Sequence, residues 1–120
     1  MTREILYLTD ILLSIEKIER YITGISFEEF MDDDLRIDGV SRNLEIIGEG
    51  VKNLPTDLRA HAPDIEWNDI VGMRNKLIHE YWGTDLDIVW KAAHRDLPKL
   101  KLEVQKLIKK LEPPTSNLKS

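Results

Sequence analysis

Apolar residues recurring three and four apart, in stretch after stretch, constrain this chain more than any other feature. Residues 5–22 place Leu8, Ile11, Leu12, Ile15, Ile18 and Ile22 at that spacing, which lays one apolar stripe along a helix. A second stretch, from about Leu35 to Leu54, carries Ile37, Val40, Leu44, Ile47, Val51 and Leu54, the seam of a packed bundle helix. No strand-type alternation is sustained and no repeat is present. The pattern predicts an all-α fold, an antiparallel bundle of four or five helices joined by short connections.

Punctuation residues set the expected boundaries. Gly24 stops the first helix, and Ser26 with Glu29 forms a capping box for a short helical piece. The acids Glu28, Glu29, Asp32, Asp33, Asp34 and Asp38 load negative charge near the start of the next helix, where the helix dipole favours it. Gly39, Gly48 and Gly50 each weaken that helix by about 1 kcal/mol relative to alanine. Glycines in so periodic a helix predict close backbone approach, with another chain as one candidate neighbour. Pro55 ends the helix, and residues 55–66 read as a loop with one turn of helix. A further helix runs from Trp67 or Asn68 to about Glu80, and Gly83 and Thr84 break the chain. Thr84 with Asp87 caps a final helix from about Asp85. Pro98 kinks or divides it, with Asp96 capping the second part and Leu100, Val104, Leu107, Ile108 and Leu111 continuing its stripe. Residues 1–112 form one helical domain and 113–120 a flexible tail.

Composition narrows the function classes. With 120 residues one domain is the default. The absence of cysteine removes disulfides, thiolate zinc sites, iron–sulfur clusters and cysteine nucleophiles together. A net charge of −5 is not the profile of a protein that coats nucleic acid by charge alone. The start, Met1-Thr2-Arg3-Glu4-Ile5, does not read as a signal peptide. The longest apolar runs, such as Ile11-Leu12-Leu13, fall far short of the roughly 20 residues a membrane span needs. A cytoplasmic, membrane-free protein is expected.

The segment from Met73 to Trp82 carries the chemistry. At about 100° per residue, Ile70, Val71, Leu77 and Ile78 lie within roughly 60° of Arg74, and Tyr81 lies about 20° away. Arg74 therefore stands in the middle of an apolar face, where it needs a partner, a second subunit or a cleft. Asn75 and His79 are four apart and share a neighbouring stripe, so Asn75 is placed to hydrogen-bond His79 and fix its ring. A permanent cation that binds phosphate with two donors, beside a group that titrates near neutrality, suits phosphodiester chemistry. An arginine paired to a carboxylate and a histidine near a helix C-terminus would leave the same trace.

The residues Arg74-Asn75-Lys76-Leu77-Ile78-His79-Glu80-Tyr81 match the Arg-x4-His-x-Tyr motif of HepT-like proteins, a branch of the HEPN superfamily. Arg42-Asn43-Leu44-Glu45-Ile46-Ile47-Gly48-Glu49 resembles that family's second signature, and Asp87-Ile88-Val89-Trp90 with Asp96-Leu97-Pro98 resembles its C-terminal part. The resemblance spans about Ile5 to Leu111. It implies a helical bundle that dimerises through its motif-bearing helices, and a metal-independent endoribonuclease toxin acting on RNA in the cleft between them. It further implies that Arg74 and His79 are catalytic and that Asn75 supports them. Tyr81 would be the residue to which the antitoxin, a minimal nucleotidyltransferase, attaches AMP. No cofactor is implied.

Residues 91–112 hold Lys91, Arg95, Lys99, Lys101, Lys106, Lys109 and Lys110 against three acids, a candidate basic edge for RNA or simply a solvated face. His61 and His94 read as surface residues. His79-Glu80-Tyr81-Trp82-Gly83 lacks the second histidine of a zinc H-E-x-x-H site. Trp67, Trp82 and Trp90 could stack bases but stand at helical spacing beside aliphatics, as core residues do. Two other classes fit the same chain: a non-catalytic helical module that binds a nucleotidyltransferase or a nucleotide, and a purely structural dimer.

Overall fold

Four long helices carry the molecule in the computed structural model, which describes residues 2–79 and 86–112, the side chains of 76–79 excepted. They are α1 (Arg3–Ile22), α3 (Asp34–Lys52), α5 (Trp67–His79) and α7 (Leu97–Leu111). Three short ones, α2 (Phe27–Met31), α4 (Thr56–Arg59) and α6 (Leu86–Lys91), turn the corners. No strand occurs among the described residues. The expected all-α fold is what forms.

α3 packs against both α1 and α5, while α7 lies along α1. The stripe residues Leu8, Ile11, Ile15 and Ile18 of α1 are fully buried, and so are Val40, Ile47 and Val51 of α3 and Leu100 and Val104 of α7. Each such side chain contributes about 1.5–3 kcal/mol relative to exposure. That burial outweighs the weak intrinsic propensity of glycine-bearing α3.

The close approach expected at the glycines of α3 is found, and the neighbours are helices of the same chain. A Cβ on Gly39 would meet the Tyr21 ring at 3.0 Å, and one on Gly50 would come 2.7 Å from Ile11 Cγ1 of α1. A Cβ on Gly48 would overlap the Cβ of Arg74 on α5 and lie 2.9 Å from its Cγ. α1 and α5 thus both sit against α3 at a distance only glycine permits.

Capping follows the expected chemistry at α2 and α3. Ser26 Oγ accepts from the Glu29 backbone N–H, and the Glu29 carboxylate accepts from the Ser26 N–H. Gly24, at φ +80°, supplies the left-handed turn after α1. Asp33 caps α3, accepting from the Arg36 backbone N–H at 3.0 Å and from its guanidinium at 2.8 Å. That N–H and the guanidinium hold the Asp33 carboxyl below its usual value. A carboxyl depressed in the folded state stabilises the fold above its unfolded pKa, and that contribution is lost as pH falls through the folded pKa. Denaturation profiles over pH should show a shallower acid loss for Asp33→Asn than for the wild type.

Pro98 does not divide the last helix. One π-helical turn, Ala92–Asp96, joins α6 to α7, with Pro98 in the first turn of α7. Proline lacks the N–H that would bond four residues back, and its ring crowds that carbonyl. Widening the turn by a residue relieves the crowding without ending the helix. Asp96 therefore keeps helical dihedrals (φ −87°, ψ −36°) and makes no side-chain cap bond, contrary to the cap expected there. The break at Gly83 and Thr84, the Thr84 cap and the tail 113–120 lie outside the described residues.

Trp67 anchors the start of α5. It is buried, and its indole N–H is shared between the Arg59 and Ala62 carbonyls at 3.0 and 3.1 Å. This ties the α3–α5 connection to the helix that carries the candidate site. Trp90 packs against Phe27, Phe30 and the His94 ring, joining α6 to α2. Both tryptophans serve packing; Trp82 lies outside the described residues.

Candidate active site

Arg74 finds its partner in its own chain. The stem of Arg74 runs over the α3 backbone at Gly48. Its Nη2 forms an ion pair with Glu49 Oε2 at 3.0 Å, one residue further along α3. Its Nη1 donates to Asn75 Oδ1 at 3.1 Å. The side chain is 21% exposed, that of Glu49 49%. A pair this open to water is worth about 1 kcal/mol or less, so its consequence lies in where it holds the guanidinium. One hydrogen bond and one ion pair hold the group, and a guanidinium carries five N–H donors, so donors remain for a further anion.

The surface at Arg74 is concave. A cleft of about 420 Å³ is lined by Tyr7 and Asp10 from α1, Arg42, Glu45, Glu49 and Asn53 from α3, and Arg74 from α5. Across the α3–α5 seam lies a smaller cavity of about 150 Å³, floored by Leu44, Ile47, Ile70 and Met73 and rimmed by Asp64, Glu66, Asp69 and Asp96 with Lys99. Four carboxylates against one ammonium would repel a phosphate there. The cleft is lined by two guanidiniums, Arg42 and Arg74, against three carboxylates, Asp10, Glu45 and Glu49, of which Glu49 is engaged by Arg74; with the smaller excess of acid and two guanidiniums, it is the better anion site of the two.

Of the residues the sequence singled out, Arg74 and Asn75 are brought together. Asn75 uses its carbonyl oxygen on Arg74; the expected bond to His79 involves a side chain outside the described set. The backbone of His79 is the last residue of α5, and Tyr81 lies outside the described residues. Glu49 is the site residue the spacing argument missed. It belongs to the signature Arg42–Glu49, but only the fold shows that its carboxylate meets Arg74. His61 and His94 are exposed, as expected. His61 Nδ1 contacts Lys110 Nζ at 3.1 Å, and His94 Nδ1 contacts the Trp90 carbonyl at 3.0 Å.

The basic edge is partly neutralised. Lys91 pairs with Asp87, Lys101 with Glu19 and Lys106 with Glu103. Arg95, Lys99, Lys109 and Lys110 are exposed.

The described residues define a small helical bundle that presents an anchored arginine at an open cleft, on a helix that ends about one and a half turns further along in a histidine. Comparison gives the family. The ribonuclease HepT-like family matches residues 11–107, a span that contains both Arg42–Glu49 and Arg74–Tyr81. The chain is 45% identical over 103 residues to the probable ribonuclease HepT of Thermococcus cleftensis, covering 86% of this chain and 94% of that protein. It is 41% identical over 104 residues to a candidate RNase of Caldanaerobacter subterraneus, covering 87% and 93%. A protein of Methanocaldococcus jannaschii, named as a gamma-glutamylcyclotransferase and candidate RNase, matches at 39% over 112 residues, which is 93% of this chain and 50% of that one. No solved structure matches significantly. The chain belongs to the ribonuclease HepT-like family, which places it among ribonucleases. No helix among the described residues is long and apolar enough to cross a membrane.

Proposed function

We propose that this chain is a metal-independent endoribonuclease, the toxin of a cytoplasmic toxin–antitoxin pair, and that it acts as a homodimer whose two Arg74–His79 segments face one RNA phosphate. The observation that carries the reading is the anchoring of Arg74 at an open cleft with donors to spare. In the reaction, one His79 removes the proton of a ribose 2′-hydroxyl, and that oxygen attacks the adjacent phosphorus. The 5′-oxygen leaves and takes a proton from the second His79. Arg74 stabilises the charge gathering on the phosphoryl oxygens, and the product is a 2′,3′-cyclic phosphate. Asn75 supports Arg74. RNA cleavage by the purified protein in excess chelator is the direct test, and loss of cleavage on adding EDTA would overturn the metal-free steps.

The antitoxin in this reading is a minimal nucleotidyltransferase. The Tyr81 phenol attacks the α-phosphorus of ATP, pyrophosphate leaves, and AMP remains on the tyrosine. Tyr81 falls on the Arg74 side of the helix pattern, so the added phosphate places an anion beside the guanidinium and blocks the cleft. Tyr81→Phe should cut RNA as the wild type does and escape the antitoxin. Mass spectrometry that finds AMP on another residue would count against it.

One observation favours the rival class. The Arg74–Glu49 ion pair is what a structural arginine would also make, as expected of a non-catalytic module that binds a nucleotidyltransferase or a nucleotide. Such a module leaves RNA intact in the same assay.

A further inference from the structure

The Arg74 side chain is held at two points on α3 by consecutive residues. Its stem lies against Gly48, where the missing Cβ leaves room for it, and its head meets the Glu49 carboxylate at 3.0 Å. Gly48 faces α5, and the next residue, a helical step of about 100° away, lies on the wall of the cleft. The two partners of the guanidinium come from different helices, Glu49 from α3 by an ion pair and Asn75 from α5 itself by a hydrogen bond. A flexible side chain hinged on one helix is thereby fixed relative to another. The pair is too exposed to add much stability, so a stabilising role does not explain it.

We infer that Glu49 is the positioning residue of the site, aiming the Arg74 guanidinium into the cleft. The inference rests on the ribonuclease reading above and adds a residue to it. Its energetic signature is specific. A misaimed guanidinium loses contact with charge that develops only in the transition state, and small misplacements of such groups cost about 10–100-fold in rate. Removing the neighbouring carboxylate also removes a competitor for the phosphate. Ground-state binding is therefore unchanged or tighter while turnover falls.

The test compares Glu49→Ala and Glu49→Gln with the wild type on one RNA substrate in chelator. Glu49→Ala should lower kcat about 10–100-fold with KM unchanged or lower. Glu49→Gln keeps an oxygen in the same place facing Nη2 and should recover most of the rate. A second readout needs no RNA: nitrogen NMR of the Arg74 guanidinium should show restricted rotation in the wild type and in Glu49→Gln, and free rotation in Glu49→Ala. Wild-type cleavage matched or exceeded by Glu49→Ala, or a guanidinium equally restricted without Glu49, overturns the role of Glu49 alone. RNA left intact by the wild type overturns the ribonuclease reading and this role with it. A fall in kcat that merely tracks a lowered melting temperature shows a structural residue and also overturns the inference.

Discussion

Replacing Gly48 with alanine will lower the melting temperature by about 8 °C, the shift expected when roughly 2 kcal/mol is lost from a chain of this size. Two effects oppose each other. Alanine is the better helix former by about 1 kcal/mol. Against that, the new methyl would overlap the Cβ of Arg74. The atom it meets is fixed to the α5 backbone, so no rotamer change relieves the contact and α5 itself must move. Overpacking that displaces backbone costs at the upper end of about 1–3 kcal/mol or beyond, and the steric term wins. Gly72→Ala is the matched control, because its Cβ meets nothing within 4 Å. It sits inside α5 and should raise the melting temperature by a few degrees, from about 0.5–1 kcal/mol of gained propensity. Calorimetry on the two variants separates the terms, and equal stabilisation by both would show that α3 and α5 do not pack at this distance. Because Arg74 is displaced with α5, Gly48→Ala should also lose more RNA cleavage than its unfolded fraction accounts for.

His79→Ala and Arg74→Lys should each nearly abolish RNA cleavage while leaving the fold intact. Removing a proton-transfer group costs about 10²–10⁴-fold. Lysine at 74 keeps the charge but loses the planar fork, so it cannot hold the Glu49 and Asn75 oxygens and a phosphate oxygen at once. The fall expected there is about 10²–10³-fold, the range for removing one transition-state donor. Stability should hardly change in Arg74→Lys, since the ion pair it alters is half open to solvent. Single-turnover cleavage with chelator present, beside melting curves of the same samples, gives both quantities. Cleavage by His79→Ala at the wild-type rate would remove the proposed mechanism. A large loss of stability in Arg74→Lys would reassign the arginine to a structural role.

The helices were legible where local rules decide them. The three-and-four spacing of α1 and α3 reports burial directly, because a helix has only one way to turn that spacing toward a core. The Ser26–Glu29 capping box is legible for the same reason, since donor and acceptor both lie within one turn. Asp96 failed as a cap because an isolated aspartate before a proline is ambiguous. It starts a helix only if the chain is not already helical, and the π turn keeps the chain helical through it.

The site was half legible. That Arg74 needed a partner followed from its place on an apolar face, since an unpaired buried cation is costly. Which partner it takes did not follow. Glu49 lies 25 positions away in sequence, and several acids on α3 were equally available. The spacing of Asn75 and His79 suggested a hydrogen bond between them, which involves a side chain outside the described residues; the charge-assisted bond that Asn75 accepts from its immediate neighbour is not a feature that spacing reports.

Periodicity, capping residues and proline positions thus determined by themselves that this chain is a helical bundle with a cation in the middle of an apolar helix face. These are properties of one helix at a time, written in neighbours a few residues apart. Only the tertiary structure decided that Gly48 lets α5 lie against α3, that Glu49 receives the arginine there, and that the pair opens on a cleft. Contacts between helices depend on crossing geometry and on which small residues coincide, and no single stretch of sequence carries that information.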